Sequence, residues 1–290
     1  MKTKLVMFFL LCTCTLYGQS IKVKKHYSAA SEYKGKAFYP VFNPDGTKLL
    51  FTSGNYRGLN LCDLQTNEVK MIADNEGAGF SPSFSKDGKK IYYRQVSRKE
   101  GRQYKTLMSF DAVSKKNEAL SEPVRTTKEL TVIQKRAMKR GSTPTISVST
   151  ENLKIVLYRD GKRTEMEPVG KVAGYIWTSL SPNGKMILFT AASKGTFVCD
   201  LSGKIIASLG KMNAPVWYDN NYVVGMEDKD NGDFVVSSKI IMASIDGKVK
   251  QTLTSDDKIA MYPAASSTAK RIAYCTLNGD LYVMEIEINQ

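Results

Sequence analysis

The chain has 290 residues, with 42 Lys and Arg against 28 Asp and Glu, a formal net charge of +14 and a single histidine. One histidine excludes a His-rich metal site of the kind zinc hydrolases use, and it argues against a Ser-His-Asp triad. A surplus of this size attracts anions, which points to acidic glycans, lipid phosphates or an acidic protein partner.

In chain order, the first residues read as a secretory leader spanning 1–18, with Lys2 and Lys4 before a short apolar core from Leu5 to Leu11. That core is too short to span a bilayer, and no other stretch approaches membrane length. A cut after Gly18 leaves Gln19 first and places the protein in the periplasm or outside the cell. The minor alternative is a lipid anchor at Cys14, although Cys12 sits where such signals carry a small residue. Ile21 to Tyr27 then alternates apolar and polar residues, as a strand does.

A repeat of roughly 40 residues with strand character follows, the mark of a β-propeller. Its clearest copy is Pro40-Val-Phe-Asn-Pro-Asp-Gly-Thr-Lys-Leu-Leu-Phe-Thr, and a second opens at Pro82. Asp45-Gly46 and Asp87-Gly88 read as two-residue hairpin turns whose Gly accepts φ > 0. Apolar second strands follow at Leu49–Phe51 and Ile91–Tyr93. Third strands end in an acid, Asp63 and Asp111, whose simplest role is to accept hydrogen bonds from the backbone of the next turn. The interval from Pro82 to the weak copy at Pro144 is the longest, and its excess falls at about 122–143. It holds Lys128, Lys135, Arg136, Lys139 and Arg140, opposed only by Glu129, while Arg98, Lys99, Arg102 and Lys105 lie in the blade before. Such patches raise the question of nucleic acid, but no nucleic-acid motif appears and none is expected as a partner.

Another clear copy opens at Trp177 with the turn Asn183-Gly184, and weaker ones open at Pro215 and Pro263. Between Tyr222 and Phe234 lies the densest acidic loop, in which Asp228, Asp230 and Asp233 form a weak Ca²⁺ candidate beside the plainer reading of a solvated hairpin turn. After Pro263 the chain holds only three strands, whereas a blade has four. The N-terminal strand is therefore expected to complete the last blade and close the ring, which removes two exposed sheet edges. Cys62 and Cys199 occupy equivalent third-strand positions in the first and fourth blades, on opposite sides of the ring. They are expected to be buried free thiols.

Asn43-Pro44-Asp45-Gly46, Ser85-Lys86-Asp87-Gly88 and Ser181-Pro182-Asn183-Gly184 resemble the repeat of the TolB-type six-bladed propellers, roughly Pro-x-Phe-Ser-Pro-Asp-Gly-Lys-x-Ile-x-Phe. The likeness runs over nearly all of the chain after the leader and is specific for fold. It implies an all-β, six-bladed β-propeller over 19–290. TolB-type propellers carry an N-terminal α/β domain as well. Only Gln19 to Tyr39 separates the leader from Pro40, so this chain is expected to lack it.

Aromatic and large apolar residues gather just before the first-strand anchors: Phe38, Tyr39, Phe80, Tyr175, Met261 and Tyr262. In a propeller the links into the innermost strands ring one mouth of the central channel. Tyr39, Phe80, Tyr175 and Tyr262, with Lys135, Arg136, Lys139 and Arg140 beside them, are the expected binding surface for an envelope protein or an anionic glycan. The competing use of the aromatics is to seal neighbouring blades. No Gly-x-Ser-x-Gly elbow is present, and neither a hydrolase domain after the propeller nor a cofactor is expected. The expected role is non-catalytic binding. The alternative is a glycan-active enzyme working with a carboxylate pair, which requires two close acids with at least one pKa raised.

Overall fold

The computed structural model describes residues 20–126 and 146–289. They form a six-bladed β-propeller whose one helical element is a single 3₁₀ turn at Gly54–Tyr56. After β1 (Ser20–Ala29), blade 1 comprises β2 (Phe38–Phe42), β3 (Lys48–Thr52), β4 (Leu59–Asp63) and β5 (Val69–Ala73). Blade 2 comprises β6 (Ser83–Phe84), β7 (Lys90–Lys99), β8 (Arg102–Asp111) and β9 (Asn117–Ala119). Blade 3 contains β10 (Ile146–Glu151), β11 (Lys154–Arg159) and β12 (Lys162–Met166), one strand fewer than the repeat leads one to expect. Blade 4 comprises β13 (Tyr175–Leu180), β14 (Met186–Ala191), β15 (Gly195–Asp200) and β16 (Ile205–Gly210). Blade 5 comprises β17 (Asn213–Trp217), β18 (Tyr222–Asp230), β19 (Val235–Ser244) and β20 (Lys250–Thr252). Blade 6 comprises β21 (Ala260–Ser266), β22 (Arg271–Thr276) and β23 (Leu281–Asn289), and β1 supplies its outer strand.

The apolar second strands are continuous runs because both of their faces are covered. Along β3, Leu49 and Phe51 pack towards blade 6 while Leu50 packs towards blade 2. Along β14, Ile187 and Phe189 face blade 3 and Leu188 faces blade 5. Along β18, Val224 and Met226 face blade 6 and Val223 faces blade 4. The core is therefore a set of apolar layers between neighbouring blades. Cys62 and Cys199 lie in two of these layers, Cys62 against blade 6 and Cys199 against blade 3, and both are buried and free. Burial pushes the Cys199 thiol up to about 12.

Closure is as expected from the missing last strand. β1 pairs antiparallel with β23, from Ile21 opposite Ile288 to Ala29 opposite Leu281. It also stitches the two flanking blades together. The Ile21 N–H donates to Gln251 Oε1 of blade 5 (3.1 Å), and the Ala30 N–H just beyond β1 donates to Asn67 Oδ1 of blade 1 (2.8 Å).

The repeat turns differ from expectation in one respect. The loop joining β2 to β3 runs from Pro44 to Thr47, longer than a two-residue link. Its closing pair is Asn43 and Lys48: Asn43 N–H donates to Lys48 O (3.1 Å), and Lys48 N–H donates to Asn43 Oδ1 (2.9 Å). Asp45 Oδ1 accepts the Thr47 N–H (2.9 Å), so the side chains satisfy backbone donors that a wider turn leaves open. Ser85 and Ser181 repeat this arrangement, and so does Ser244 with Asp246-Gly247, a copy whose serine closes the third turn of blade 5 rather than the first. Gly46, Gly88 and Gly184 all have φ near +70°, the left-handed region expected of them (71°, 69° and 70°). The acids ending the third strands accept turn N–H groups as expected: Asp63 from Gln65 and Thr66, Asp111 from Val113 and Ser114, Asp200 from Ser202 and Lys204.

Two outcomes follow from this construction. Deleting Ser20–Ala29 removes the outer strand of blade 6 and its ties to blades 5 and 1. The shortened protein is expected to aggregate or melt far below the intact chain, and size-exclusion chromatography with calorimetry checks this. The second concerns Gly46 and Gly88, which share the same backbone strain but not the same surroundings. A Cβ at Gly46 would lie 2.4 Å from Ala269 Cβ and from Ser266 Oγ of blade 6, whereas a Cβ at Gly88 meets nothing closer than Pro44 Cδ at 3.5 Å. Gly88→Ala is expected to cost about 1 kcal/mol from φ alone, and Gly46→Ala distinctly more, compared by urea denaturation.

Candidate functional site

Strand order decides which residues meet at the mouth. In each antiparallel blade, the start of the innermost strand, the hairpin between second and third strands and the link from the outer strand to the next blade all lie on one face. The Asp-Gly turns lie on the other. On the first face, a non-glycine residue with positive φ recurs at the start of the innermost strand: Tyr39 (54°), Ser81 (51°), Trp177 (51°), Ala214 (44°) and Tyr262 (52°). In four of these blades the ladder shifts register there, between Phe38 and Val41, Ile176 and Ser179, Asn213 and Val216, and Met261 and Ala264. A β-bulge of this kind re-aims a side chain, and left-handed backbone costs a non-glycine residue about 1–2 kcal/mol. Three of the five positions carry a large aromatic residue. Such strain recurs at binding and active sites.

The aromatics join into one run across three blades. Tyr262 of blade 6 meets Tyr39 of blade 1, with ring centroids 4.6 Å apart. Tyr39 stacks on Tyr56 at 4.7 Å, and Tyr56 meets Phe80 edge-on at 5.1 Å. Burial, with the hydrogen bond to Tyr56, holds the Tyr39 phenol well above the ordinary tyrosine range. The run ends at Arg94 on β7, whose guanidinium lies 4.5 Å over the Phe80 ring. Gly79 sets this end of the run. A Cβ there would fall 2.0 Å from Thr52 Oγ1, so only glycine lets the link from blade 1 lie close enough to bring Phe80 against Tyr56.

Among the expected site residues, Tyr39, Phe80 and Tyr262 thus come together, and Phe80 is 41% exposed. Tyr175 does not join them. It is 1% exposed, packs between blades 3 and 4, and donates its hydroxyl to Gly170 O (2.7 Å). Trp177, 40% exposed, holds the mouth position in blade 4. The repeat register explains the exchange: Ser181 aligns with Asn43, so Trp177 aligns with Tyr39, and the residue matching Pro40 is Thr178. Tyr56 and Arg94 carried no sequence signal, because each comes from a second strand or its hairpin rather than from an anchor. Lys135, Arg136, Lys139 and Arg140 lie outside the described residues.

Blades 2 and 5, opposite each other in a ring of six, carry the longest hairpins. That of blade 2 bears Arg98, Lys99, Arg102 and Lys105, and Arg98 pairs with Glu76 (3.0 Å). That of blade 5 bears Glu227, Asp228, Asp230 and Asp233. Asp228 is buried and accepts from Asn213 Nδ2 (2.6 Å), whereas Asp230 Oδ1 and Asn231 Oδ1 accept N–H groups of the turn itself. No group of three potential ligands fit to hold a metal ion occurs among the described residues. His26 sits in β1 with Nε2 2.8 Å from the Tyr274 hydroxyl, away from the mouth run. The carboxyl groups of Asp45, Asp63, Asp87, Asp111, Asp200 and Asp246 are all held below the usual range, chiefly by side-chain and backbone hydrogen bonds in the turns. No described helix is long and apolar enough to cross a membrane.

Known structures agree on the fold. TolB from Acinetobacter baumannii superposes with a TM-score of 0.53 at 19% identity, over 80% of this chain and 58% of TolB. The Swd1 (Cps50) β-propeller domain of Myceliophteria thermophila gives 0.54 at 12% identity, over 92% and 99% of the two chains. The tricorn protease gives 0.52 at 15% identity, over 88% of this chain and 26% of the protease. The chain thus spans less than two thirds of the TolB and tricorn chains. No protein-family model and no curated protein sequence matches it. In fold the protein is a TolB-like six-bladed propeller.

Exchanging the mouth and packing positions separates their roles. Tyr175→Ala is expected to cost about 3–5 kcal/mol, as for a buried aromatic. Trp177→Gly, which also relieves a left-handed backbone, is expected to cost far less. Chemical denaturation of both variants measures the difference.

Proposed function

We propose that the protein is an exported, non-catalytic binding propeller of the bacterial cell envelope that holds a protein or an anionic glycan against the aromatic mouth. The observation that carries this reading is the run Tyr262–Tyr39–Tyr56–Phe80, with Trp177 on the same face. Three large side chains are kept in left-handed backbone at equivalent places, where a small residue or glycine would be cheaper. Aromatic and arginine side chains at the centre of a contact surface commonly carry most of its binding energy. The leader-like segment Lys2 to Leu11 supports export, and the net positive charge suits an anionic partner. The basic stretch Lys135, Arg136, Lys139 and Arg140 enters this proposal through its charge alone. Carboxylate-based glycan chemistry is the lesser reading, because Asp257, on the mouth-face link into blade 6, has its pKa moved down by Lys258, as the turn acids have theirs by their hydrogen bonds, the reverse of what a general acid needs.

The test is capture of a partner from envelope extract with the mature protein as bait. A partner retained by the wild type is expected to be lost with Trp177→Ala and with Tyr262→Ala and kept with Lys185→Glu, which lies on the opposite face. Attraction between exposed charges is screened over about 10 Å at 0.1 M salt, so binding should weaken as salt rises and with Lys135→Glu plus Arg136→Glu. Retention unchanged by both aromatic variants would place the partner elsewhere.

A further inference from the structure

Arg94 is a buried arginine at the mouth for which the described residues supply no counter-charge. It is 9% exposed, its Nε is sealed from water, and no hydrogen-bond partner for that Nε occurs among the described residues. The neighbouring acids are engaged elsewhere: Glu76 with Arg98 at 3.0 Å, and Asp74 with Arg57 at 3.5 Å. Burial pulls its pKa down, yet a guanidinium stays protonated at neutral pH. A buried cation without a partner is costly to the free protein, which is why such groups are ordinarily paired.

The other blades show what this position needs when it serves packing alone. Phe38 is paired with Thr52, Ile176 with Thr190, Asn213 with Met226 and Met261 with Cys275, each just before the bulge. The same register puts Arg94 opposite Phe80, and the ring contact agrees. Thr52 and Thr190 satisfy their hydroxyls inside the fold, and Met226 and Cys275 are buried. A small or apolar residue fills the position in blades 1, 4, 5 and 6, whereas blade 2 holds a charge there.

We propose that Arg94 is the anion subsite of the mouth and takes the carboxylate of an acidic side chain of a peptide segment, whose apolar neighbours lie on the Tyr262–Phe80 run. The inference rests on the mouth reading above and gives it a ligand chemistry. A carboxylate matches the planar guanidinium fork and supplies the charge that the fold withholds. The guanidinium is recessed, with Phe80 over one face, so the anion must arrive on a slender stem. A Glu or Asp side chain has such a stem, whereas the carboxylate of a sugar acid is joined directly to its ring.

The experiment follows the Arg94 Nε–Hε resonance of the mature protein by NMR at fixed ionic strength. The probes are N-acetyl-glutamate N-methylamide, its glutamine counterpart and methyl glucuronide. The glutamate compound is expected to move the resonance saturably, the glutamine compound at least about tenfold more weakly, and the glucuronide as weakly as glutamine. Phe80 ring resonances should report the same saturation in the wild type and lose it in Arg94→Gln and Arg94→Lys, because lysine keeps the charge and lacks the fork. Melting curves establish that both variants are folded. If both melt early, the wild-type probe series decides alone. No response to the glutamate compound, equal response to glutamine, or unaltered binding by Arg94→Lys overturns the proposal. Tighter binding of the glucuronide overturns the peptide assignment in favour of an acidic glycan. In the capture experiment, a partner lost with Trp177→Ala but kept by Arg94→Gln removes the anion subsite and leaves the mouth reading standing. A partner indifferent to both removes the mouth reading itself.

Discussion

Face-to-face packing of neighbouring blades is the interaction on which the rest of this structure depends. Each second strand buries both of its faces, so Leu50 and its neighbours Leu49 and Phe51 belong to different layers although they adjoin in sequence. Burying apolar surface stabilises by roughly 25 cal/mol per Å², and a two-sided strand gains on both faces. The arrangement works only if the ring closes, because an open ring would leave one blade face and its sheet edges in water. β1 meets that requirement by pairing with β23 while it hydrogen-bonds to blades 5 and 1. Closure is thus covered by a segment from the far end of the chain.

A rigid ring allows strain to be held at its centre. The left-handed residues at the starts of the innermost strands lie at bulges flanked by regular ladder, and the interblade layers fix the strands on either side. At Ala214 and Ser81 the same geometry presents a small side chain, so the backbone kink belongs to the propeller and the aromatic residue is a local choice. That distinction makes the aromatic run informative. The fold requires the bulge, but it does not require a tyrosine or a tryptophan on it.

Charge follows a similar division. The acids at the turns on the opposite face are held ionised by side-chain hydroxyls and then by backbone donors, and they lock the hairpins. The mouth face instead carries a basic hairpin on blade 2 and an acidic one across the ring on blade 5. A ligand lying across the mouth meets a field with a direction, and Arg94 sits towards its positive end.

The sequence by itself determined the repeat, the blade count, the closing strand, the positive φ of Gly46, Gly88 and Gly184, and the burial of the free cysteines. All of these are local patterns, or follow from counting strands, and local chemistry dictates them. It also pointed to Tyr39, Phe80 and Tyr262, because residues just before an anchor share a place in every blade. Trp177, rather than Tyr175, was legible too, because aligning Ser181 with Asn43 pairs Trp177 with Tyr39, and the same bulge follows Phe38 and Ile176. Only the tertiary structure decided the rest. Tyr56 and Arg94 could not be read from the sequence, since their roles come from the contact of blade 1 with blade 2 across the link through Gly79. Whether a buried arginine has a partner depends on which acids three-dimensional packing brings near it, and here Glu76 and Asp74 are drawn to Arg98 and Arg57.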